Sequence, residues 1–510
     1  MMPFLIYQNN MSDYTIIKNN QTIPLQNIPV FEYEDFLLLN TSLLKEESKH
    51  CVNYFGYKIQ GKLKLICCIA DDSQSTIILS SSEINQDDTE YPSFSAQHLS
   101  FHIFERELHE NFGINYTDHP WLKPLRFAFN RADKNSRIEN YPFYQINSEE
   151  LHEVGVGPIH AGIIEPGHFR FICNGEQILH LETQQGFAHR GIEALFLNKK
   201  KLLQKTILAE SIAGDTVVGH SMAFVNLWES LCNYQADEDL QFSRTLALEL
   251  ERIAIHTGDL SGICTDIAYQ LGSSVFGRLR TPLINFFQIW CGNRLSKGLI
   301  RAGNNHFYFS AALAIQLEKI FKDFESDYTE MYTEFKELPS ALARLEKTGV
   351  VTREQSTSIG TVGMVAKTSG IKRDIRTTHP HDLYQQLNHQ PILKNHGDVY
   401  SRVQIRNEEI KQSIEYIRKL LKNIPEENKN RKPLNTPQTN SFTLSLIEGW
   451  RGEICHCAIT DDQGELIHYK IKDPSMHNWL AVALAVRNNE ISDFPICNKS
   501  FDLSYCGHDL

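Results

Sequence analysis

No stretch of this sequence is long and apolar enough to cross a bilayer. The longest apolar runs are short, Leu480 to Val486 among them, whereas a spanning helix needs about 20 apolar residues. Basic charge is also in short supply: 50 Lys and Arg stand against 62 Asp and Glu, a formal net charge of −12. That balance argues against nucleic acid as the main partner, because phosphate binding needs a basic face. No G-x-G-x-x-G follows a strand pattern, so nicotinamide binding by this chain is unsupported. No C-x-x-C set is present to hold iron–sulfur clusters. The 11 cysteines among 510 residues are an odd and sparse set, read as reduced thiols of a cytoplasmic protein. Cys455-x-Cys457 has the wrong spacing for a metal knuckle. Cys67-Cys68 lies in an apolar, strand-like run and reads as core. The start, Met1 to Tyr14, has no basic segment ahead of an apolar stretch, so a signal peptide is not expected.

What is present suits a large buried core: 41% hydrophobic and 22% charged residues. Leu63–Ala70 and Ser75–Ser82 are apolar runs joined by Asp71-Asp72-Ser73-Gln74, a hairpin signal, and Ser95–Phe112 reads as a helix. Residues 131–150 are polar and turn-rich. Phe169–Cys173 and Gln177–Glu182 flank Asn174-Gly175, a two-residue turn signal. Beyond Gly191 the periodicity is helical over 201–235, 242–259, 262–271, 281–295 and 308–347, with Leu246, Leu250, Ile253 and Ala254 on one face. Strand patterns return at Ser441–Ile447, Cys455–Ile459 and Leu466–Ile471, after a polar loop at 424–440, and Trp479–Asn488 reads as a last helix. The fold class is α+β: a small N-terminal α/β domain, then a large, mainly α-helical bundle domain with small antiparallel sheets.

Four groups of residues carry candidate chemistry. His98, His102, Glu105 and His109 are spaced to share one helix face, as a metal site or as a solvated stripe. His189-Arg190-Gly191-Ile192-Glu193 pairs a carboxylate with a guanidinium, for proton movement or for an ion pair at a helix start. Glu210 to Thr216, with His220 four residues on, opens a helical run. The tail, Asp502 to Leu510, holds one thiol, one imidazole and two carboxylates that would line a pocket or simply dock.

Together these motifs resemble a known family. Phe104 through Ile114 (FERELHENFGI) with His119-Pro120 is similar to the C-type subunit of NADH-quinone oxidoreductase, respiratory complex I. Gly157-Pro158-x-His160, HRGIE at 189–193, LELERIAIHTGDL at 248–260, FGRLR at 276–280, TVGMVAKTSGIKRDIR at 361–376 and WRGE at 450–453 resemble its D-type subunit. They resemble equally the nickel–iron hydrogenase large subunit of the membrane-bound kind. The fused order is that of formate hydrogenlyase and hydrogenase-4. The resemblance implies a C-type domain over 1–135, a linker at 136–150 and a hydrogenase large subunit-like domain over 151–510. It also implies partners: an iron–sulfur small subunit and integral-membrane antiporter-like subunits, with this chain peripheral on the cytoplasmic side of the inner membrane.

The family's ligand positions depart from its pattern. Where the hydrogenases place four thiolates, this chain has Ala213, Thr216, Ser504 and Gly507, with Cys506 one residue out of register. Nickel and low-spin iron need soft donors, so no nickel–iron centre, and no cofactor bound by this chain, is expected. The histidine and tyrosine that serve quinone reduction in complex I align with Ile164 and Gly214. A quinone remains a possible partner, with Asp215 or His508 as substitute donors. The retained frame consists of His160, Arg190, Glu193, His220, Asp374 and Arg376, read either as pocket residues or as packed ion pairs. The expected role is electron transfer coupled to ion translocation; the alternative is a redox-silent scaffold of an ion-translocating complex.

Overall fold

The computed structural model describes residues 14–85, 90–162 and 164–510; the stretch read for a signal peptide lies outside these apart from Tyr14. The N-terminal sheet is antiparallel in the order Thr15–Ile17, Thr76–Asn85, Lys62–Asp71 and Lys49–Ile59, with Val30–Phe31 added in parallel to Thr76–Asn85. Its strands are buried almost without interruption, because both faces are covered. One face packs on the helices Tyr33–Leu43 and His102–Phe112 through Phe36, Tyr54, Phe94 and Phe104. The other places Val52, Phe55, Ile66 and Ile77 against Phe442, Leu444 and Ile459 of the C-terminal sheet. Cys67 belongs to the first core and Cys68 to the second, as their alternation along one strand requires.

The C-terminal sheet runs Leu466–Lys472, Glu453–Thr460, Ser441–Glu448 and then Thr22–Pro24, so an N-terminal strand completes it. Cys455 and Cys457 face this core with their sulfurs 3.7 Å apart. Burial pushes both thiols well up, and they stay neutral. A third sheet pairs His152–Val156, His168–Asn174 and Gln177–Gln184. Around these lies the helical bundle, chiefly Val217–Leu231, Glu238–Asp266, Gln270–Cys291, Ala311–Glu337 and Val399–Leu421. The α+β class stands.

Several element boundaries differ from the sequence reading, each for a local reason. The helix expected over 95–112 begins at His102, behind two 3-10 turns at Phe94–Ala96 and Leu99–Phe101. Glu105 accepts hydrogen bonds from Ser93, Ser95 and the backbone N–H of Phe94, and so folds the preceding chain back on itself. Segments 242–259 and 262–271 are not separate: one helix continues to Asp266, and Gly262 inside it makes room for the Lys499 side chain. The helix read from 281 begins at Gln270. Segment 201–235 breaks at 210–216, and 308–347 breaks at Leu338-Pro339. The hairpin turn is Gly175-Glu176, since Asn174 pairs with Gln177. The helix read from Trp479 starts at Pro474 under an Asp473 cap, and two short helices follow it, Phe494–Phe501 and Tyr505–Asp509.

Gly363 opens the helix Gly363–Thr368 at φ +61°, where an added Cβ would lie 2.2 Å from the Arg451 carbonyl oxygen. Gly175 has a similar φ of +58° with open space around it. Gly175→Ala is expected to cost only the left-handed penalty of about 1–2 kcal/mol. Gly363→Ala adds a backbone clash, and a loss above about 3 kcal/mol is expected. Chemical denaturation of the two variants compares them; equal losses would refute the close approach at Gly363.

Candidate functional site

The residues singled out in the sequence do not gather in one pocket. His160 lies on the loop after the Gly157-Pro158 peptide, and its Nε2 donates to the Gly167 carbonyl at 2.8 Å. Arg190 reaches the carbonyls of Ser211 and Ile212, each at 2.7 Å, and so holds the non-helical 210–216 segment. Glu193 accepts from Lys470 Nζ at 3.0 Å and from the Ile471 N–H at 2.9 Å. The histidine stripe is not formed, because His98 lies before the helix start. His109 Nδ1 instead donates to the Ile114 carbonyl, and Glu105 is committed to the 93–95 turn. Burial pushes Glu105 up to about 7.

Asp374 and Arg376 sit fully buried in a charge network. Asp374 caps the helix Ile375–Thr378 and meets Arg376 at 2.8 Å, His389 at 3.1 Å and Lys367 at 3.3 Å. Arg376 continues to Glu249 at 3.2 Å and Glu409 at 3.4 Å. Glu409 also binds Lys367 at 2.5 Å and His256 at 2.8 Å, and Arg252 lies 3.4 Å from Glu249. Burial, reinforced by Asp374, pushes the fourth carboxyl, Glu448, up to about 8. Three cations, Arg252, Lys367 and Arg376, therefore face three carboxylates at neutral pH, and the network balances without an outside ion. Two helices, Glu238–Asp266 and Val399–Leu421, are tied to the C-terminal sheet by it.

The segments carrying Ala213, Thr216, Ser504 and Gly507 meet through Arg451, which the sequence reading noted only as part of WRGE. Arg451 makes a two-pronged pair with Asp215, at 2.6 and 2.7 Å, and a 3.0 Å bond to Thr216 Oγ1. Its Nε donates at 2.5 Å to the Asp502 carbonyl in the tail. Ser504 Oγ accepts from the Gly507 N–H at 2.9 Å and caps the last helix. A Cβ at Gly507 would lie 2.7 Å from the Asp473 carboxyl carbon. Burial pushes the Cys506 thiol up to about 12.

A cleft of about 490 Å³ opens here, where Glu165, Asp215, Asp259 and Asp502 face Arg280, Arg451 and Lys499. Burial and the nearby Asp502 push Asp259 up to about 7. Against the same burial, Lys499 and Arg451 hold Asp502 low. His508 lies elsewhere, hydrogen-bonded to Asp509 at 2.8 Å and facing a second cavity.

His220 belongs to a buried relay that the sequence did not reveal. Its Nε2 is 2.9 Å from Asp473 Oδ2, and its Nδ1 is 3.1 Å from His456 Nε2. His456 Nδ1 is 2.7 Å from the Tyr469 hydroxyl. Burial keeps His456 far below its usual range and so neutral, while the bond from His220 and the nearby Arg451 hold Asp473 low against burial. With both rings neutral, one set of tautomers satisfies every contact. The carboxylate accepts from His220 Nε2–H, His220 Nδ1 accepts from His456 Nε2–H, and His456 Nδ1 accepts from the Tyr469 O–H. His456 and Tyr469 meet because they are diagonal neighbours in the register His456↔Ile471.

This wiring fixes two outcomes. Nitrogen-resolved NMR of labelled histidines is expected to show His456 protonated at Nε2 alone; a proton on its Nδ1 would refute the chain. Asp473→Asn is expected to cost about 1.5–3 kcal/mol at pH 7. Because the folded Asp473 carboxyl lies below the unfolded value of about 3.9, its contribution is fully present above that pH and is lost as pH falls through the folded value. Unfolding titrations of parent and variant should therefore converge in acid.

Comparison with known proteins matches two segments of the chain separately. Residues 34–135 match the family described as the 30 kDa subunit of respiratory-chain NADH dehydrogenase, and residues 272–443 match its 49 kDa subunit. Hydrogenase-4 component G of Escherichia coli is 26% identical over 391 residues, covering 76% of this chain and 67% of its own. Formate hydrogenlyase subunit 5 of the same organism is 26% identical over 445 residues, covering 83% and 77%. The fused C/D polypeptide of NADH-quinone oxidoreductase from Phocaeicola vulgatus is 26% identical over 464 residues, covering 83% and 87%. Among the described residues no helix is long and apolar enough to cross a membrane, and no group of three or more His, Cys, Asp and Glu side chains is placed to hold a metal ion. One polypeptide thus carries a segment that matches the 30 kDa subunit family and a segment that matches the 49 kDa subunit family, and over most of its length it is similar to hydrogenase-4 component G, formate hydrogenlyase subunit 5 and the C/D subunit of NADH-quinone oxidoreductase.

Proposed function

We propose that this chain is the large peripheral subunit of a membrane-bound oxidoreductase complex in which the nickel–iron centre has been lost. Its homologues are subunits of membrane-bound hydrogenase and complex I type complexes. The observation that carries the loss is the donor set at the junction. A methyl group, two hydroxyls and a hydrogen stand at Ala213, Thr216, Ser504 and Gly507, and both hydroxyls are engaged, one with Arg451 and one as a helix cap. Hydroxyls are hard, weak donors for nickel and low-spin iron. The one thiol of the tail, Cys506, stays protonated, and the guanidinium of Arg451 joins the two segments, where its charge opposes a metal cation. These residues do not fit a bimetallic centre.

In this reading the chain rests on an iron–sulfur small subunit and on integral-membrane antiporter-like subunits, at the cytoplasmic face of the inner membrane. It divides into units 1–135 and 151–510 joined by 136–150; the family match ending at residue 135 supports that division. Quinone reduction at the cleft is disfavoured by its lining of four acids and three bases, and by Asp215 being held by Arg451. The pairing of Arg451 with Asp215, and its bond to the tail, supports a second reading, a redox-silent scaffold that carries conformational change to the ion-translocating subunits.

The intact complex, purified and analysed for metals, is expected to contain iron and no nickel, and to accept electrons from NADH, ferredoxin or quinol. Ion transport with no redox change would select the scaffold instead. Nickel in proportion to this chain would end both readings.

A further inference from the structure

A large cavity lies away from the junction and plays no part in the reading above. It measures about 820 Å³ and is walled by both halves of the chain. Ile103 comes from the helix His102–Phe112, Leu122 and Leu125 from the chain after it, Leu181 from the strand Gln177–Gln184, and Leu480 and Leu484 from the helix Pro474–Ala485. That volume lies within the roughly 300–1,000 Å³ of small-molecule sites, and the mostly apolar lining with a few polar groups is typical of them.

Its polar groups are incompletely partnered. Neither ring nitrogen of His102, neither amide atom of Gln185 and not the Trp479 indole N–H has a hydrogen-bond partner, although the three residues are 2%, 4% and 3% exposed. Each unmet buried group costs about 1–3 kcal/mol. Arg106, one turn along the helix from His102, is 9% exposed. Its Nε and Nη2 donate to the carbonyls of Lys123 and Pro124, and no carboxylate pairs with it among the described residues. The nearby Lys123 is already neutralised by Glu182. Inside an apolar cavity there is thus one buried cation without a carboxylate, with N–H donors on three other side chains; the other unpaired cation of the lining, Arg487, is exposed and meets His180 at 3.5 Å.

This combination discriminates between guests. A wholly apolar guest would leave the cation and the donors unmet. A multiply charged guest would bury surplus charge against leucines, at large desolvation cost. We infer that the cavity binds an amphiphile with a single negative charge, a medium- or long-chain carboxylate, with its head on Arg106 and its chain along Leu480 and Leu484. The carboxylate accepts the guanidinium N–H, a charge-assisted bond stronger than a neutral one. Each methylene taken from water adds about 0.8 kcal/mol.

The test titrates the delipidated full-length chain with cis-parinaric acid and follows the fluorescence of the probe. Saturable uptake of one molecule per chain is expected, displaced by palmitate and about tenfold less well by hexadecanol, which lacks the charge. Arg106→Gln is expected to weaken binding about tenfold. Leu484→Glu, at the partly exposed end of the chain path, is expected to do the same with a parent-like melting curve, and it decides the matter if the Arg106 variant does not fold. Non-saturable uptake, equal displacement by hexadecanol, or unchanged affinity in Leu484→Glu would overturn the inference. Displacement by phosphatidylglycerol vesicles but not by palmitate would overturn it too, by assigning the cavity to a membrane phospholipid.

Discussion

Two sheets packed face to face set the position of nearly everything else. Helices reach the apolar surface between the N-terminal sheet and Ser441–Lys472 through little more than Ile375, so each sheet needs the other. Once they pack, three features are placed. The turn between Ser441–Glu448 and Glu453–Thr460 holds Arg451 over the 215–216 segment. The end of Leu466–Lys472 delivers Asp473 to His220. The middle strand carries His456 between His220 and Tyr469. The polar chemistry of the chain is therefore built on one apolar interface.

Charge does inside this chain what covalent or metal links do elsewhere. The Arg252–Lys367–Arg376 cluster and its carboxylates join helices that are distant in sequence. Arg451 likewise ties the 210–216 segment to the tail. Buried ion pairs of this kind add little net stability over apolar packing, but removing one partner leaves a stranded charge at several kcal/mol. They enforce geometry more than they add free energy. At this junction Arg451, Asp215 and Thr216 are engaged with one another, so a ligand reaching them must compete with the guanidinium.

Much of the β-structure was legible because alternation and turn residues are local signals. The 63–82 hairpin and the three C-terminal strands lie within a few residues of their expected places. The helix Val399–Leu421 was not legible, because its buried face includes Arg402, Arg406, Asn407 and Glu409 and does not read as an apolar stripe. The candidate site was legible only in part. His220 was chosen for its motif, yet its partners Asp473 and His456 lie more than 230 positions away and follow from strand register alone. Arg190 and Glu193 were recognised as charged neighbours, but each turned to a different task, one holding carbonyls and one pairing with Lys470. Spacing in sequence carried no information on which way either side chain faces.

Among the described residues, the strand Thr22–Pro24 pairs with the strand segment Ser441–Thr443 alone. During translation that N-terminal edge emerges from the ribosome some 420 residues ahead of its complement. At about 5–20 residues per second the wait is roughly 20 to 80 s. Throughout it, the apolar side of the first sheet stays uncovered, as does the unpaired rim that invites pairing with another nascent chain. Shortening the carboxyl end would therefore strand the beginning of the polypeptide as surely as the end.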